Sequence, residues 1–411
     1  MKERPGCKGK TCRDERLAKM KKFSLIALSL FFFLTATACG STPQKAAAPQ
    51  PEPVKLPDAQ IETIAKAMVS HMTLAEKIGQ MMIVGVDGTS MDKNALVLLQ
   101  QYHVGGIILF DPNMQSRTQV QQLLSQLQAN ADDKGLPLFL GVDQEGGLVT
   151  RMKQSMYTAP SAAQLAATGD SQQIYEAARK TALDIKSVGF NLDFAPVLDI
   201  NQTKQRSYGK TAAEVIQNAA VAAQAYQDAG IIFSFKHFPG IGKAVLDTHV
   251  GASTVPVSKE IIMKEDFLPF KELIKRFPND QFMVMIGHLK FKAFNDTPAS
   301  VEPQIVTDLL RKDAGFTGIA ITDDMGMGAL MEGYTSAQAG VKAVQAGQDI
   351  LLVCFGQKSK QQVHDAVLAA VQDGRIPQGR IDQAATRVVT CKLKNLVTYR
   401  ELKQFADAYT K

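Results

Sequence analysis

Cysteine is nearly missing from this 411-residue chain: beyond Cys39 only Cys354 and Cys391 remain. No Cys/His spacing matches a metal site, and a bridge between the last two cysteines is open to the chain but required by nothing in their placement. Both read as buried small apolar residues, Cys354 closing the run DILLVC and Cys391 lying in a helical pattern. Neither a metal nor an organic cofactor is implied. An excess of one charge is missing too. Residues 1–38 hold nine Lys/Arg and three Asp/Glu, which leaves 37 of each sign for the rest, so the formal charge of +6 belongs to the N-terminus. A neutral body gives no ground for a nucleic-acid partner. No GxGxxG follows the first apolar run, which weighs against a dinucleotide-binding sheet. The apolar stretch at 23–34 is too short to cross a bilayer comfortably.

What is there begins with that stretch. Lys21 and Lys22 precede it, and the small residues of LTATAC lead to Cys39. A basic start, a short apolar core and small residues make a secretory signal. Small residues directly before Cys39 resemble a bacterial lipobox, in which the cysteine becomes the lipidated first residue of the mature chain. The alternative is a signal cut elsewhere nearby. Met20 is a second possible start, because residues 20–39 alone make a complete signal. The expectation is an exported protein, lipid-anchored through Cys39 to a bacterial membrane on its periplasmic or cell-surface face. Residues 40–57 (GSTPQKAAAPQPEPVKLP) are too rich in Pro, Ala and polar residues to form a core and read as a tether. The folded domain is expected at 58–411, where the chain, with 45% apolar and 21% charged residues overall, has enough apolar content for a sizeable core.

Within that domain, short near-continuous apolar runs fall at 80–86, 104–110, 137–142, 190–197, 231–235, 282–286, 318–321 and 349–353. Strands buried on both faces of a parallel sheet have this character. Helical patterns lie between them, as at 116–132, 171–188, 211–227 and 338–346. Strand–helix alternation eight times over predicts a single TIM-type (β/α)8 barrel, with a doubly wound open sheet as the alternative.

Barrel enzymes carry their chemistry at the C-terminal ends of the strands. In this sequence those ends read Asp143-Gln144-Glu145-Gly146-Gly147 after the third run, Asp199 and then Arg206 after the fourth, Lys236-His237 and a Gly/Pro-rich loop with Asp247 and His249 after the fifth, His288 after the sixth, and Asp323-Asp324 after the seventh. A lone Asp after a strand is often a helix cap, a role open to either Asp323 or Asp324. Lys236 in a buried strand end must find a carboxylate or a hydroxyl-rich ligand, and a structural ion pair would also satisfy it. His71 and His103 read as surface or packing residues, and His364 as solvated on its helix.

The segments KHFPGIG…DTH, VDQEGG…R and ITDDM, in this order, resemble glycoside hydrolase family 3, in particular its single-domain β-N-acetylhexosaminidases; NLDFAPVLD and VGGIILF fit as well. The resemblance covers nearly all of residues 60–390. It implies Asp323 as the nucleophile, Asp247 and His249 as an acid/base pair, and Asp143, Arg151, Arg206, Lys236 and His237 as residues holding the sugar hydroxyls and the N-acetyl group. Ile241 stands where the family motif has a second histidine, and NQTKQRSYG departs from the commoner GDRSFG.

The implied reaction is retaining hydrolysis of terminal non-reducing N-acetyl-β-D-glucosaminyl residues from peptidoglycan or chitin fragments, through a glycosyl-enzyme intermediate on Asp323. An imidazole with an ordinary pKa near ~6.5 suits the proton transfers. Two other readings share these residues: a phosphorylase, in which phosphate replaces water, and a non-catalytic sugar-binding lipoprotein. A monomer is expected.

Overall fold

The computed structural model describes residues 56–131, 135–201, 205–243 and 254–410. Its core is a barrel of eight parallel strands: β1 Met82–Gly85, β2 Gly106–Ile108, β3 Phe139–Val142, β4 Leu192–Asp193, β5 Ile232–Phe238, β6 Phe282–Ile286, β7 Ile319–Thr322 and β8 Leu351–Val353. β1 to β7 pair each with the next in sequence, and β8 pairs with β1, as in Met82 opposite Leu351. The seam between β7 and β8 is joined by a parallel bridge from Ile321 to Ile350, with Thr322 N–H donating to Ile350 O at 3.1 Å. All eight apolar runs of the sequence supply one strand each, and the open-sheet alternative falls.

Alternation explains how near-continuous apolar runs serve two sides. On β6, Met283 and Met285 join the cluster inside the barrel, while Phe282, Val284 and Ile286 join the layer beneath the outer helices. A strand's period of two sends successive side chains to opposite faces. The inner cluster takes at least one residue from every strand, among them Ile83, Phe139, Leu192, Ile232 and Leu352. Val388 and Cys391, on the C-terminal helix Gln378–Asn395, belong to the same cluster and plug the barrel beside the strand starts. Both Cys354 and Cys391 are free and buried.

Short αβ connections follow from glycine. The helices Ser171–Val188, Ala212–Ala229 and Ser336–Ala346 end on Gly189, Gly230 and Gly347, all in the left-handed region, and a strand follows each within a few residues. Their starts are capped by Asp170, Thr211 and Thr335, whose side chains accept backbone N–H bonds. β4 is only two residues long, against the eight of the sequence run, and Pro196, which has no N–H to give a ladder, follows it closely. His364 corrects another expectation. It is 3% exposed, its Nε2 lies 3.2 Å from Ala75 O, and its ring meets Tyr102 edge-on, so it is a packing residue and not a solvated one.

Candidate active site

At the C-terminal end of the barrel the strand ends deliver an interlocked set of charges. Lys236, near the end of β5, is 2% exposed. Its ammonium lies 2.8 Å from Asp143 Oδ1 and 2.7 Å from Glu145 Oε1, both on the loop after β3. Arg206 clamps Glu145 with two bonds of 2.7 Å, from Nε to Oε2 and from Nη2 to Oε1. Arg151 approaches Asp143 Oδ2 at 3.4 Å and Asp111 Oδ2 at 3.5 Å. Burial by itself would raise the Glu145 carboxyl, but Lys236 and Arg206 outweigh it and hold the group far below the usual carboxylate range. Burial likewise opposes the charge on Lys236 and Arg206, and the facing carboxylates keep both protonated above their ordinary values. Fixed donors and acceptors of this kind match the vicinal hydroxyls of a sugar.

His237 is held from behind. Its Nδ1 lies 2.7 Å from Asp199 Oδ2, and Asp199 Oδ1 accepts the amides of His237 at 3.2 Å and Ile241 at 2.9 Å. The Ile241 contact uses only its backbone, so the side chain that replaces the family's histidine is not needed for it. The chain then turns at Gly240, which has φ +120°, and at Gly242, where an added Cβ would lie 1.8 Å from Ile200 O. Lys243 pins this stretch by pairing with Asp266 at 2.5 Å and Glu265 at 2.8 Å.

Asp323 follows β7. Its amide donates to Ile286 O at 2.9 Å and its Oδ1 accepts the Asp324 amide at 2.8 Å. Burial disfavours the charged form, yet His237, His288, the Asp324 amide and Lys236 together bring the carboxyl below its ordinary value. Asp323 is therefore ionised at neutrality, as a carboxylate nucleophile requires. Asp324 differs. Its Oδ1 accepts the amides of Cys354 at 2.9 Å and Gly326 at 3.2 Å, and burial raises its carboxyl. It ties the loop after β7 to the end of β8. His288 supports the same loop: Nε2 lies 2.9 Å from Asp324 O, which can only accept, and Nδ1 lies 2.7 Å from the Ser300 hydroxyl. Burial lowers its pKa, so the ring is neutral, with the proton on Nε2 and the Ser300 hydroxyl donating to Nδ1.

The structure thus brings Asp143, Arg151, Arg206, Lys236, His237 and Asp323 to one end of the barrel. Asp247, His249 and Cys39 lie outside the described residues. Three carboxyls that the sequence reading left out of the site are structurally central: Glu145, Asp199 and Asp193. Asp193 is fully buried on β4, accepting the Gln144 amide at 2.9 Å and the Tyr226 hydroxyl at 3.0 Å. Burial, helped by nearby Asp143, pushes its carboxyl up to about 7 against the pull of Lys236 and its two donors. The signal for all three was in the motifs VDQEGG and NLDFAPVLD, at the positions beside those chosen. Among the described residues no three His, Cys, Asp or Glu side chains converge as a metal site would need. A cleft of about 540 Å³ at the opposite pole is lined by Lys66, Asp280, Arg387 and Lys394 among others, and it contains none of the groups above.

A closed (β/α)8 barrel with ionised carboxylates and buried cations at the C-terminal strand ends defines a polyol-binding enzyme site. The chain belongs to glycosyl hydrolase family 3, matching the model of its N-terminal domain over residues 73–391. It is 31% identical over 373 residues to the beta-hexosaminidase LpqI of Mycobacterium tuberculosis, covering 87% of this chain and 92% of that one. The solved structure of a glycoside hydrolase family 3 beta-N-acetylglucosaminidase from Paenibacillus sp. superposes with a TM-score of 0.76 at 33% identity, over 82% of this chain and 69% of that one. The M. tuberculosis LpqI structure gives a TM-score of 0.73 at 31% identity, over 80% and 96%.

Proposed function

We propose that this protein is a retaining β-N-acetylhexosaminidase that removes terminal non-reducing N-acetyl-β-D-glucosaminyl residues, with peptidoglycan or chitin fragments as substrates. The observation that carries the reading is Asp323, a half-buried carboxylate held ionised at the same barrel mouth as the Asp143–Lys236–Glu145–Arg206 network. The relatives named beta-hexosaminidase and beta-N-acetylglucosaminidase support it, and neither the phosphorylase nor the binding-only alternative draws support from them.

In the first step an Asp323 oxygen attacks the anomeric carbon, and the glycosidic bond breaks as the leaving oxygen takes a proton from His249. Asp247 orients the His249 ring and stabilises its charged form. In the second step His249 takes a proton from water, whose oxygen attacks the anomeric carbon and frees Asp323. Two inversions return the β configuration. Asp143, Arg151, Arg206, Lys236 and His237 hold the sugar hydroxyls and the N-acetyl group. Fixing them with buried ion pairs removes the reorganisation that water-exposed side chains would require.

The proposal extends to location. Residues 1–39 act as a lipoprotein signal, Cys39 carries the lipid, and 40–57 tether a monomeric barrel at 58–411 to the membrane. The small residues directly before Cys39 support a lipid anchor at that position. The enzyme reading is tested with an aryl N-acetyl-β-D-glucosaminide. The wild-type protein releases the aryl alcohol, and Asp323→Ala loses at least about a thousandfold of that rate. An inert wild-type protein sinks the reading. Labelling with a radioactive fatty acid tests the anchor: incorporation is expected in the full chain and absent in Cys39→Ala.

A further inference from the structure

Two aromatic rings at the barrel mouth have no place in the mechanism above. Phe110 and Phe355 each stand two residues past a strand end, of β2 and of β8, the two strands that flank β1. Their rings meet with centroids 5.0 Å apart and planes tilted by 33°. Phe355 is 61% exposed and is the one aromatic among the four large apolar side chains that the described residues leave exposed, the others being Leu148, Leu183 and Ile261. A lone exposed apolar side chain is ordinary on a protein surface. This one rests on a second ring that is half-buried and packs on the cluster filling the barrel, so the pair stands in the mouth and not on the outer wall.

The rings are fixed and are joined to both halves of the site. The buried side chain of Asn113 accepts the Phe110 amide on Oδ1 at 2.9 Å, and its Nδ2 donates to Val86 O at 2.9 Å and Gly88 O at 2.8 Å, which ties the end of β2 to the loop after β1. The Arg151 guanidinium carbon lies 5.4 Å from the centre of the Phe110 ring, while Nη2 of the same group reaches Asp143. One arginine therefore connects the rings to the residues that hold the first sugar. On the other side the amide of Cys354, next to Phe355, donates to Asp324, the neighbour of Asp323. Asp111 gives the rings a polar edge. Its exposed carboxylate is oriented by the Met152 amide, which Oδ1 accepts at 3.2 Å, and by Arg151, 3.5 Å from Oδ2.

Removal of a terminal non-reducing sugar means that every substrate atom beyond that sugar belongs to the leaving group. The residues holding the first sugar follow β3, β4 and β5, and Asp323 follows β7. The end of β6 is closed by His288, buried between Ser300 and the Asp324 carbonyl. The arc β8–β1–β2 is left for the leaving group. A pyranose ring has apolar C–H faces and a rim of hydroxyls, and an aromatic face with a carboxylate at its edge matches both. We propose that Phe355 and Phe110, with Asp111 beside them, form the subsite for the leaving-group sugar: Phe355 stacks on a C–H face of that ring and Asp111 accepts one of its hydroxyls. The proposal rests on the hydrolase reading and deepens it, because it makes the enzyme select saccharides over glycosides with small leaving groups.

The test compares N,N′-diacetylchitobiose, whose leaving group is a sugar, with N-acetyl-β-D-glucosaminyl azide, whose leaving group is too small to reach the rings. The readout is kcat/KM, which covers every step through cleavage of the bond to the leaving group. Phe355→Ala is expected to lower kcat/KM for the disaccharide by about tenfold and to leave the azide unchanged. Phe355→Trp should keep the disaccharide rate, and Phe355→Leu, apolar but without a ring face, should lose most of it. An equal loss on both substrates would place the ring with the first sugar or with the fold and overturn the subsite. So would an unchanged disaccharide rate in Phe355→Ala, and a Phe355→Leu rate equal to wild type would overturn the stacking. If Phe355→Ala does not fold, the Leu and Trp variants still decide. If wild type cleaves neither substrate, the hydrolase reading fails, and calorimetry decides the subsite separately. Tighter binding of the disaccharide than of N-acetylglucosamine, lost in Phe355→Ala, supports it, and equal binding of the two sugars by wild type overturns it.

Discussion

Asp193 and Asp323 lie at the same end of one barrel and are driven in opposite directions. Asp323 has the His237 and His288 rings, the Asp324 amide and Lys236 to offset burial, whereas Asp193 has only two neutral donors and Lys236. The consequence for stability has a definite sign. A folded-state pKa near 7, above the ordinary carboxylate value, means the folded protein binds a proton that the unfolded chain has lost. Stability from this group is present at low pH and is lost as pH rises from about 4 to 7, by an amount on the order of 1 kcal/mol per pH unit. Asp193→Asn keeps the shape and removes the titration. Urea unfolding at pH 5 and pH 8 should show the wild type losing ground on this variant as pH rises; a constant difference would refute the raised pKa. The Lys236 network makes a second prediction at this scale. Lys236→Met removes the cation shared by Asp143 and Glu145, leaving them only Arg151 and Arg206, and should cost about 1.5–3 kcal/mol of stability along with most of the activity. Measured urea midpoints within error of wild type would show that the ion pairs contribute nothing net.

Among the elements, the loop after β5 is the most constrained by sequence. Gly242→Ala would drive a Cβ into Ile200 O, so the chain ahead of Asp247 and His249 must shift. The expected result is a fall in kcat/KM of about tenfold or more with only a small change in unfolding midpoint, since the barrel core does not contain this position. An unchanged kcat/KM would show that this turn does not govern the loop. The elements also show what sequence could reveal. All eight strands were legible because burial on both faces leaves near-continuous apolar runs, and the polar strand ends stood out against them. Glu145 and Asp199 were harder to read as site residues. Each sits beside a more conspicuous acid or cation, and only the fold shows that Glu145 bonds Arg206 from a distant loop. Phe355 was invisible: it continues the apolar run DILLVC, where nothing marks one ring as exposed.

For the molecule as a whole, closure of the barrel depends on the seam between β7 and β8. Asp349, fully buried just before β8, accepts the Ala320 amide at 3.1 Å and pairs with Arg311, with Arg380 at 2.9 Å and with Arg387 at 3.0 Å. Burial opposes its charge, but the three guanidiniums hold the carboxyl below its ordinary value. The stability it supplies is therefore present above the ordinary carboxylate range and is lost only as pH falls through the depressed value. Asp349→Ala leaves three arginines facing one another at the seam and should cost about 3–5 kcal/mol in urea unfolding at neutral pH. A loss below about 1 kcal/mol would mean the seam is held by the strands alone. The same pole carries the helix Gln378–Asn395 that plugs the barrel, so damage there is expected to lower stability without touching KM.

The central claim is that Asp323 becomes covalently glycosylated during turnover. Its most direct measurement is mass spectrometry of peptides from enzyme quenched during reaction with an activated N-acetyl-β-D-glucosaminide whose second step is slowed by His249→Ala. The account predicts one added N-acetylhexosaminyl group, on Asp323. A label on Asp324 or Glu145, or steady turnover with no labelled carboxylate, would contradict it.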